Sequence, residues 1–169
     1  MGGPRKLSSS NPHTASPKED RAETSLQISL PEKIVVAVDG SDPSFKALSY
    51  AAKLAGLNKS KIVVLSVMSL PPWTAAKTAD ALKKDLSSKA ADVLGRAKSL
   101  ARSNGVDVET RSIETSGSIV MAIIDFSNKE KADLIVMGTK GTSGYGKMML
   151  GSVAAGVVSF ASCPVLAVR

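Results

Sequence analysis

Cysteine and histidine are almost missing from this chain of 169 residues: Cys163 and His13 are the only examples. A single cysteine excludes an intrachain disulfide and fits a reducing compartment, so a cytoplasmic location is expected. A single histidine, placed in a polar amino-terminal stretch, excludes a histidine-dependent triad within the ordered part of the chain. Together the two leave too few ligands for a structural zinc. Aromatic residues make up only 4%, so a core must be built from Val, Ile, Leu, Ala and Met. The same shortage leaves few rings for stacking on single-stranded nucleic acid. No apolar run approaches the roughly 18 residues of a membrane-spanning helix, and the amino end lacks the apolar stretch of a secretory signal. Gly2 invites comparison with a myristoylation motif, but Lys6 stands where that motif wants Ser or Thr. Cys163 precedes Pro164 and a short apolar run, and reads as a small buried hydrophobe rather than a nucleophile.

What is present is basic. The net charge is +7. In residues 1–30, Arg5, Lys6, Lys18 and Arg21 face Glu19, Asp20 and Glu23, a net of +1, which leaves +6 on the remainder. A basic surface attracts anions. The lysines form no continuous run, so a solvated surface is expected rather than a DNA-binding one. Residues 1–30 are rich in Ser, Pro, Gly and charge without periodicity, and read as a disordered tail. Order is expected over 31–169.

Short β-branched runs alternate with helical patterns through that region. Ile34–Val38 reads as a strand buried on both faces, closed by Asp39-Gly40-Ser41. Ser41 or Asp42 is placed to cap a helix with Pro43 in its first turn, and Gly56 is expected to stop it. Ile62–Val67 is a second buried run. Pro71-Pro72-Trp73 forms a loop, with Trp73 expected to bury against a helix rather than cover a pocket. A long helix over 75–103 carries Leu82, Leu86, Ala90, Val93, Leu94, Ala97 and Ala101 on one stripe, and Asn104-Gly105 ends it. Val106–Ile113 reads as an edge strand, 118–128 as a helix, Leu134–Met137 as a buried strand, 152–161 as a helix and Val165–Val168 as a final strand. Five strands alternating with four helices imply one α/β domain, a doubly wound, mainly parallel sheet of Rossmann-like type with helices on both faces. In such sheets ligands bind beyond the carboxyl ends of strands where the strand order reverses.

The most informative stretch runs from Gly138 through Lys140, Gly141, Gly144, Gly146 and Lys147 to Gly151-Ser152. It lies between a buried strand and a helix. Glycine lets backbone amides approach an anion, successive amides form a nest for phosphate oxygens, and the helix start at Gly151 and Ser152 favours negative charge. Lys140 and Lys147 add attraction. The P-loop reading of Gly141 through Gly146-Lys147 fails, because Met148 replaces the magnesium-binding Ser or Thr. A dinucleotide fingerprint fails at Met149. A ligand-free surface loop is the plainer alternative.

The spacing Gly138, Gly141, Gly151, Ser152 resembles the ATP signature of the universal stress protein family. Ile34 to Ser41, Leu134 to Gly138 and Ser162 to Val168 resemble that family's first, fourth and closing strands. The resemblance covers roughly residues 32–169. It implies a strand order of 3-2-1-4-5, with Asp39 beside Gly138 at the reversal. It further implies an adenine nucleotide, ATP, held by Gly138, Gly141, Gly151 and Ser152 at ribose and phosphates, with Lys140 nearby. Ala37 and Val38 would flank adenine, Val67 would contact it through its backbone, and Met137 would line the pocket. Asp39 would lie near the ribose or a magnesium ion carried by the nucleotide. A homodimer through the C-terminal strand is also implied. This chain departs from many members at Ser116-Gly117-Ser118, where a Gly-Asp-Pro type of turn is usual.

Catalysis finds less support. Hydrolysis requires a group that positions water and extra charge stabilisation. Asp39 is the only acid placed near the nucleotide, and it serves equally well in a helix-opening turn. The expectation is a nucleotide-dependent regulatory module with at most slow ATP turnover. The alternative is a nucleotide-free dimeric interaction protein of the same fold. An ATP pyrophosphatase would want Ser-Gly-Gly-x-Asp-Ser where this chain has Asp39-Gly40-Ser41-Asp42; a flavin carrier is the remotest class.

Overall fold

The computed structural model describes residues 1–3, 29–70, 76–140 and 150–169. Its elements are β1 Lys33–Ala37, α1 Asp42–Asn58, β2 Lys61–Ser69, α2 Ala76–Ser103, β3 Glu109–Thr115, α3 Ile119–Lys129, β4 Leu134–Gly138, α4 Ser152–Phe160 and β5 Val165–Val168. The strands form one sheet in the order β3-β2-β1-β4-β5, and every pairing is parallel. The expected fold class and strand order are both found.

The sheet works because alternate residues of each central strand feed two separate cores. Ile34, Val36, Ile62, Val64 and Val136 pack with the small inner residues of α1 and α2, among them Ala47, Ala51, Ala97 and Ala101. Val35, Val63, Leu65, Ile135 and Met137 pack with Ile123 of α3 and with Ala154 and Val157 of α4. Strands buried on both faces need apolar side chains at every position, which is why these runs do not alternate. β3 lies at the sheet edge and alternates only in part, with Thr110, Ile113 and Thr115 half-buried among exposed Glu109, Arg111, Ser112 and Glu114.

Four boundaries differ from the sequence reading by two residues or more: the ends of α1, β2 and β3 and the start of β3. Gly56 does not end α1: it stays helical with open space around it, and the helix runs to Asn58 before Lys59 turns left-handed at φ 56°. That end is held by Asn58 Nδ2 and Ser60 Oγ, which donate to the Pro31 carbonyl at 3.2 and 2.5 Å. β3 starts at Glu109 instead of Val106, because the Val106 amide donates to Ala101 O and the Gly105 amide to Arg102 O. Both bonds complete the end of α2. β2 runs on to Ser69, which pairs with Thr115. Trp73 lies outside the described residues.

At the opposite end of the sheet from the strand tips, Asp133 fixes where β1 begins. Its Oδ2 accepts from the amides of Glu32 at 3.0 Å and Lys33 at 2.9 Å. Replacing Asp133 by Ala strands both donors at the exposed strand start and is expected to cost about 1–2 kcal/mol. Asp133→Asn keeps an acceptor oxygen and should cost less than Asp133→Ala. Urea unfolding of the two variants beside wild type checks the order; equal stability of all three would remove Asp133 from this role.

Candidate functional site

The carboxyl ends of β2, β1 and β4 open into a cavity of about 520 Å³. Its floor is built by how each strand turns away. β1 ends at Ala37, and the Val38 amide still donates to Leu65 O at 2.9 Å, which keeps the next residue in line. The chain then turns at Asp39-Gly40-Ser41. Gly40 has φ +86°, and a Cβ there would lie 2.9 Å from Val93 Cγ2 of α2, so both backbone angle and space require glycine. Asp39 Oδ1 accepts from the Ser41 amide at 3.0 Å and from Ser41 Oγ at 2.6 Å. Ser41 in turn caps α1, accepting from the Ser44 amide. The Asp39 carboxylate therefore shapes the turn that starts α1 while also lining the cavity.

β4 ends under that same helix start. A Cβ on Gly138 would lie 2.9 Å from Pro43 C and from Ser44 N. The glycine is needed here by α1, which presses its first turn onto the strand end, and this reason is separate from any approach by a ligand. The Thr139 amide donates to Val168 O at 2.7 Å, and the Gly151 amide donates to Thr139 O at 2.7 Å. These bonds close the neck through which the chain leaves β4 and returns to α4.

α4 then begins at the cavity wall, which Gly151, Ser152, Val153 and Ala154 line. Its N-cap is Gly151, at φ −61° and ψ 151°, with no side-chain hydrogen bond into the helix. The first intrahelical bond is Ala155 N to Gly151 O at 2.8 Å, so the amides of Ser152, Val153 and Ala154 have no acceptor within the helix. Helices α1 and α3 differ: Ser41 and Ser118 fill their caps with hydroxyls. The Ser152 hydroxyl does not act as the cap; Ser152 is the first helical residue. The first turn of α4 carries no acid.

The structure brings Ala37, Val38, Asp39, Val67 and Met137 to this one cavity, together with Gly138, Lys140, Gly151 and Ser152. Gly141 and Lys147 lie outside the described residues. Among the described lining residues Asp39 is the only acid, and Lys89 and Lys140 are the cations. Among the described residues no group of three His, Cys, Asp or Glu side chains forms a metal site, and no helix is long and apolar enough to cross a membrane.

A model of the universal stress protein family matches residues 31–169. The chain belongs to the universal stress protein family. A universal stress protein of Methanocaldococcus jannaschii is 35% identical over 143 residues, which span 83% of each chain. A solved universal stress protein in complex with cAMP superposes with a TM-score of 0.66 at 29% identity, covering 83% of this chain and 99% of its own. The universal stress protein from Archaeoglobus fulgidus in complex with dAMP gives a TM-score of 0.64 at 30% identity, covering 83% and 100%.

In this universal stress protein several lining residues escaped the sequence reading. Ser66 within β2 and Thr139 just after β4 are buried hydroxyl residues, and each sits beside a residue that was named. Lys89, an exposed residue of α2, lines the cavity beside Leu86, Ala90 and Val93. The apolar stripe of α2 was legible, and Lys89 falls three residues after Leu86 on that same stripe, which is the signal that could have found it.

Cys163 lies away from the cavity, just before β5 and near Asp133. It is half-buried, and burial followed by the Asp133 charge pushes its thiol up. A raised thiol holds less thiolate at any pH below its titration, which opposes nucleophilic use. At pH 8, iodoacetamide is expected to alkylate Cys163 more slowly in the native protein than in guanidinium-unfolded chain, with the gap narrowing as pH rises. Equal rates by mass spectrometry would show an ordinary, open thiol.

Proposed function

We propose that this universal stress protein binds an adenine nucleotide, ATP, in the cavity over β1, β2 and β4. The observation that carries the reading is the start of α4: a helix N-cap occupied by glycine, with three amides lacking helical acceptors, on the wall of a cavity that also holds Lys140. Such an end suits phosphate oxygens. Gly138, Gly141, Gly151 and Ser152 would hold ribose and phosphates. Ala37, Val38, Val67 and Met137 would enclose the base on the apolar side. Two relatives of the same fold, solved with cAMP and dAMP, support an adenine nucleotide as the class of ligand.

The site favours binding over turnover. Asp39 is the one acid among the described lining residues, and its Oδ1 is engaged by Ser41. A magnesium ion would have to be carried largely by the nucleotide, with Asp39 as its protein contact. We therefore read the protein as a nucleotide-dependent regulatory module with at most slow hydrolysis, in a cytoplasmic setting. Its binding unit is 31–169, with 1–30 outside it.

The two sheet edges support a homodimer through β5. β3 exposes Glu109, Arg111 and Glu114, charges that blunt an edge. β5 is Val165-Leu-Ala-Val with no charge, and the helix before it exposes Val158 and Phe160, the latter 70% exposed. A second copy pairing along β5 would cover these groups.

Low-salt titration calorimetry with ATP is expected to show saturable uptake by wild type and none by Gly151→Val, whose side chain would crowd Thr139 O. Circular dichroism confirms that the variant is folded. No uptake of any adenine nucleotide by wild type, or undiminished uptake by folded Gly151→Val, would end the nucleotide reading. In sedimentation velocity, wild type is expected at twice the chain mass. Phe160→Lys should weaken that dimer by about tenfold or more; a variant that dimerises as wild type does would place the interface elsewhere.

A further inference from the structure

Helix α2 brings a cation to the cavity that phosphate binding leaves without a task. Leu86, Lys89, Ala90 and Val93 are the residues by which it lines the cavity. The Lys89 ammonium lies 2.7 Å from Asp85 Oδ2, one turn back along the helix. Asp85 does not line the cavity, whereas Lys89 does. α2 packs on β2 and β3, so Lys89 stands at the β2 side of the cavity. Lys140 and the first turn of α4 stand at the β4 side, with β1 between them. The two sides differ in chemistry. The β4 side presents backbone amides at a helix start. The β2 side presents Lys89, the buried residue Ser66 and the apolar residues Val67 and Met68. A nucleotide whose phosphates lie at α4 therefore extends its base toward β2 and α2.

We propose that Lys89 reads that base: on binding, its ammonium leaves Asp85 and donates to an acceptor nitrogen on the purine edge. The inference rests on the nucleotide reading and adds a residue that sets specificity within it. An apolar pocket separates bases poorly, whereas a donor that is left unpaired by the wrong ligand separates them well. An ammonium has three donors and no acceptor, so it rewards an edge bearing ring nitrogens. The exchange of partners costs little, because both side chains of the pair are well exposed, at 70% and 53%, and such pairs on a helix surface contribute weakly to stability. Asp85 acts as a positioning residue, holding the ammonium at the rim until a base replaces it.

Calorimetry on the full chain with three probes tests this: ATP, ribose 5-triphosphate and tripolyphosphate. Lys89→Met is expected to weaken ATP binding by about three- to tenfold and to leave the other two probes unchanged. Asp85→Asn, which releases the ammonium, should strengthen ATP binding, and the double variant should match Lys89→Met. Unchanged ATP affinity in Lys89→Met overturns the role of Lys89 while leaving the nucleotide reading intact. A similar loss for ribose 5-triphosphate or tripolyphosphate also overturns it, since Lys89 would then act on sugar or phosphate. Failure of wild type to take up ATP overturns the nucleotide reading and this inference with it.

Discussion

The first turn of α1 rests directly on the end of β4, and the geometry of the whole cavity depends on that contact. A methyl group on Gly138 would lie 2.9 Å from backbone atoms of Pro43 and Ser44, a separation that only displacement of the helix could relieve. The contact fixes the direction of α1. That direction sets the turn at Asp39-Gly40-Ser41, whose glycine lies against Val93 of α2. The long helix α2 is thereby held against the same turn, and its inner face becomes a cavity wall. On the other side of the sheet, the neck bond between Gly151 and Thr139 aims the start of α4 at the space left between the strand ends. Three close contacts, each at a glycine, thus place three helices around one opening.

Much of this was legible because the pattern of burial is strong. Ile34 to Val36, Ile62 to Leu65 and Ile135 to Met137 are buried on both faces, and only a covered parallel sheet accommodates such runs. The helix-start serine Ser41 also declares itself locally, whereas Ser118, read as the first residue of its helix, is that helix's cap. What was illegible depended on contacts that residue type alone does not announce, some of them distant in sequence. The end of α1 is decided by Pro31, whose carbonyl gathers Asn58 and Ser60, so the nearby glycine at 56 proved a weaker signal than the anchoring of the chain. The start of β3 was displaced because Val106 spends its amide on the helix before it. Gly138 was legible as important, but the reason found is helix packing, which spacing alone does not distinguish from approach by a ligand.

The candidate site divides in the same way. Residues at strand tips and at the start of α4 could be named in advance, since chain order alone carries them to the carboxyl edge of the sheet. Lys89, Ser66 and Thr139 line the same cavity yet carry no motif. Lys89 in particular sits within an apolar stripe, where a charged residue reads as a solvated interruption. Its position opposite the α4 terminus emerges only when α2 is laid across β2.

The balance of charge around the cavity bears on what the fold can do with an anion. Backbone amides at α4 and the lysines at positions 89 and 140 supply attraction from two sides, while Asp39 supplies the one carboxylate among the described lining residues. That carboxylate also accepts two hydrogen bonds from Ser41, which opens α1, and α1 in turn packs on β4. A group so tied cannot swing toward a water molecule without loosening the turn, and the turn cannot loosen without moving α1 off Gly138. The same connection gives a ligand mechanical reach. Whatever draws on Asp39, directly or through a metal ion, pulls on the start of α1, and α1 packs against β5 as well as β4. The proposed nucleotide and the proposed dimer edge thus share α1 as a common neighbour, since that helix packs against both β4 and β5.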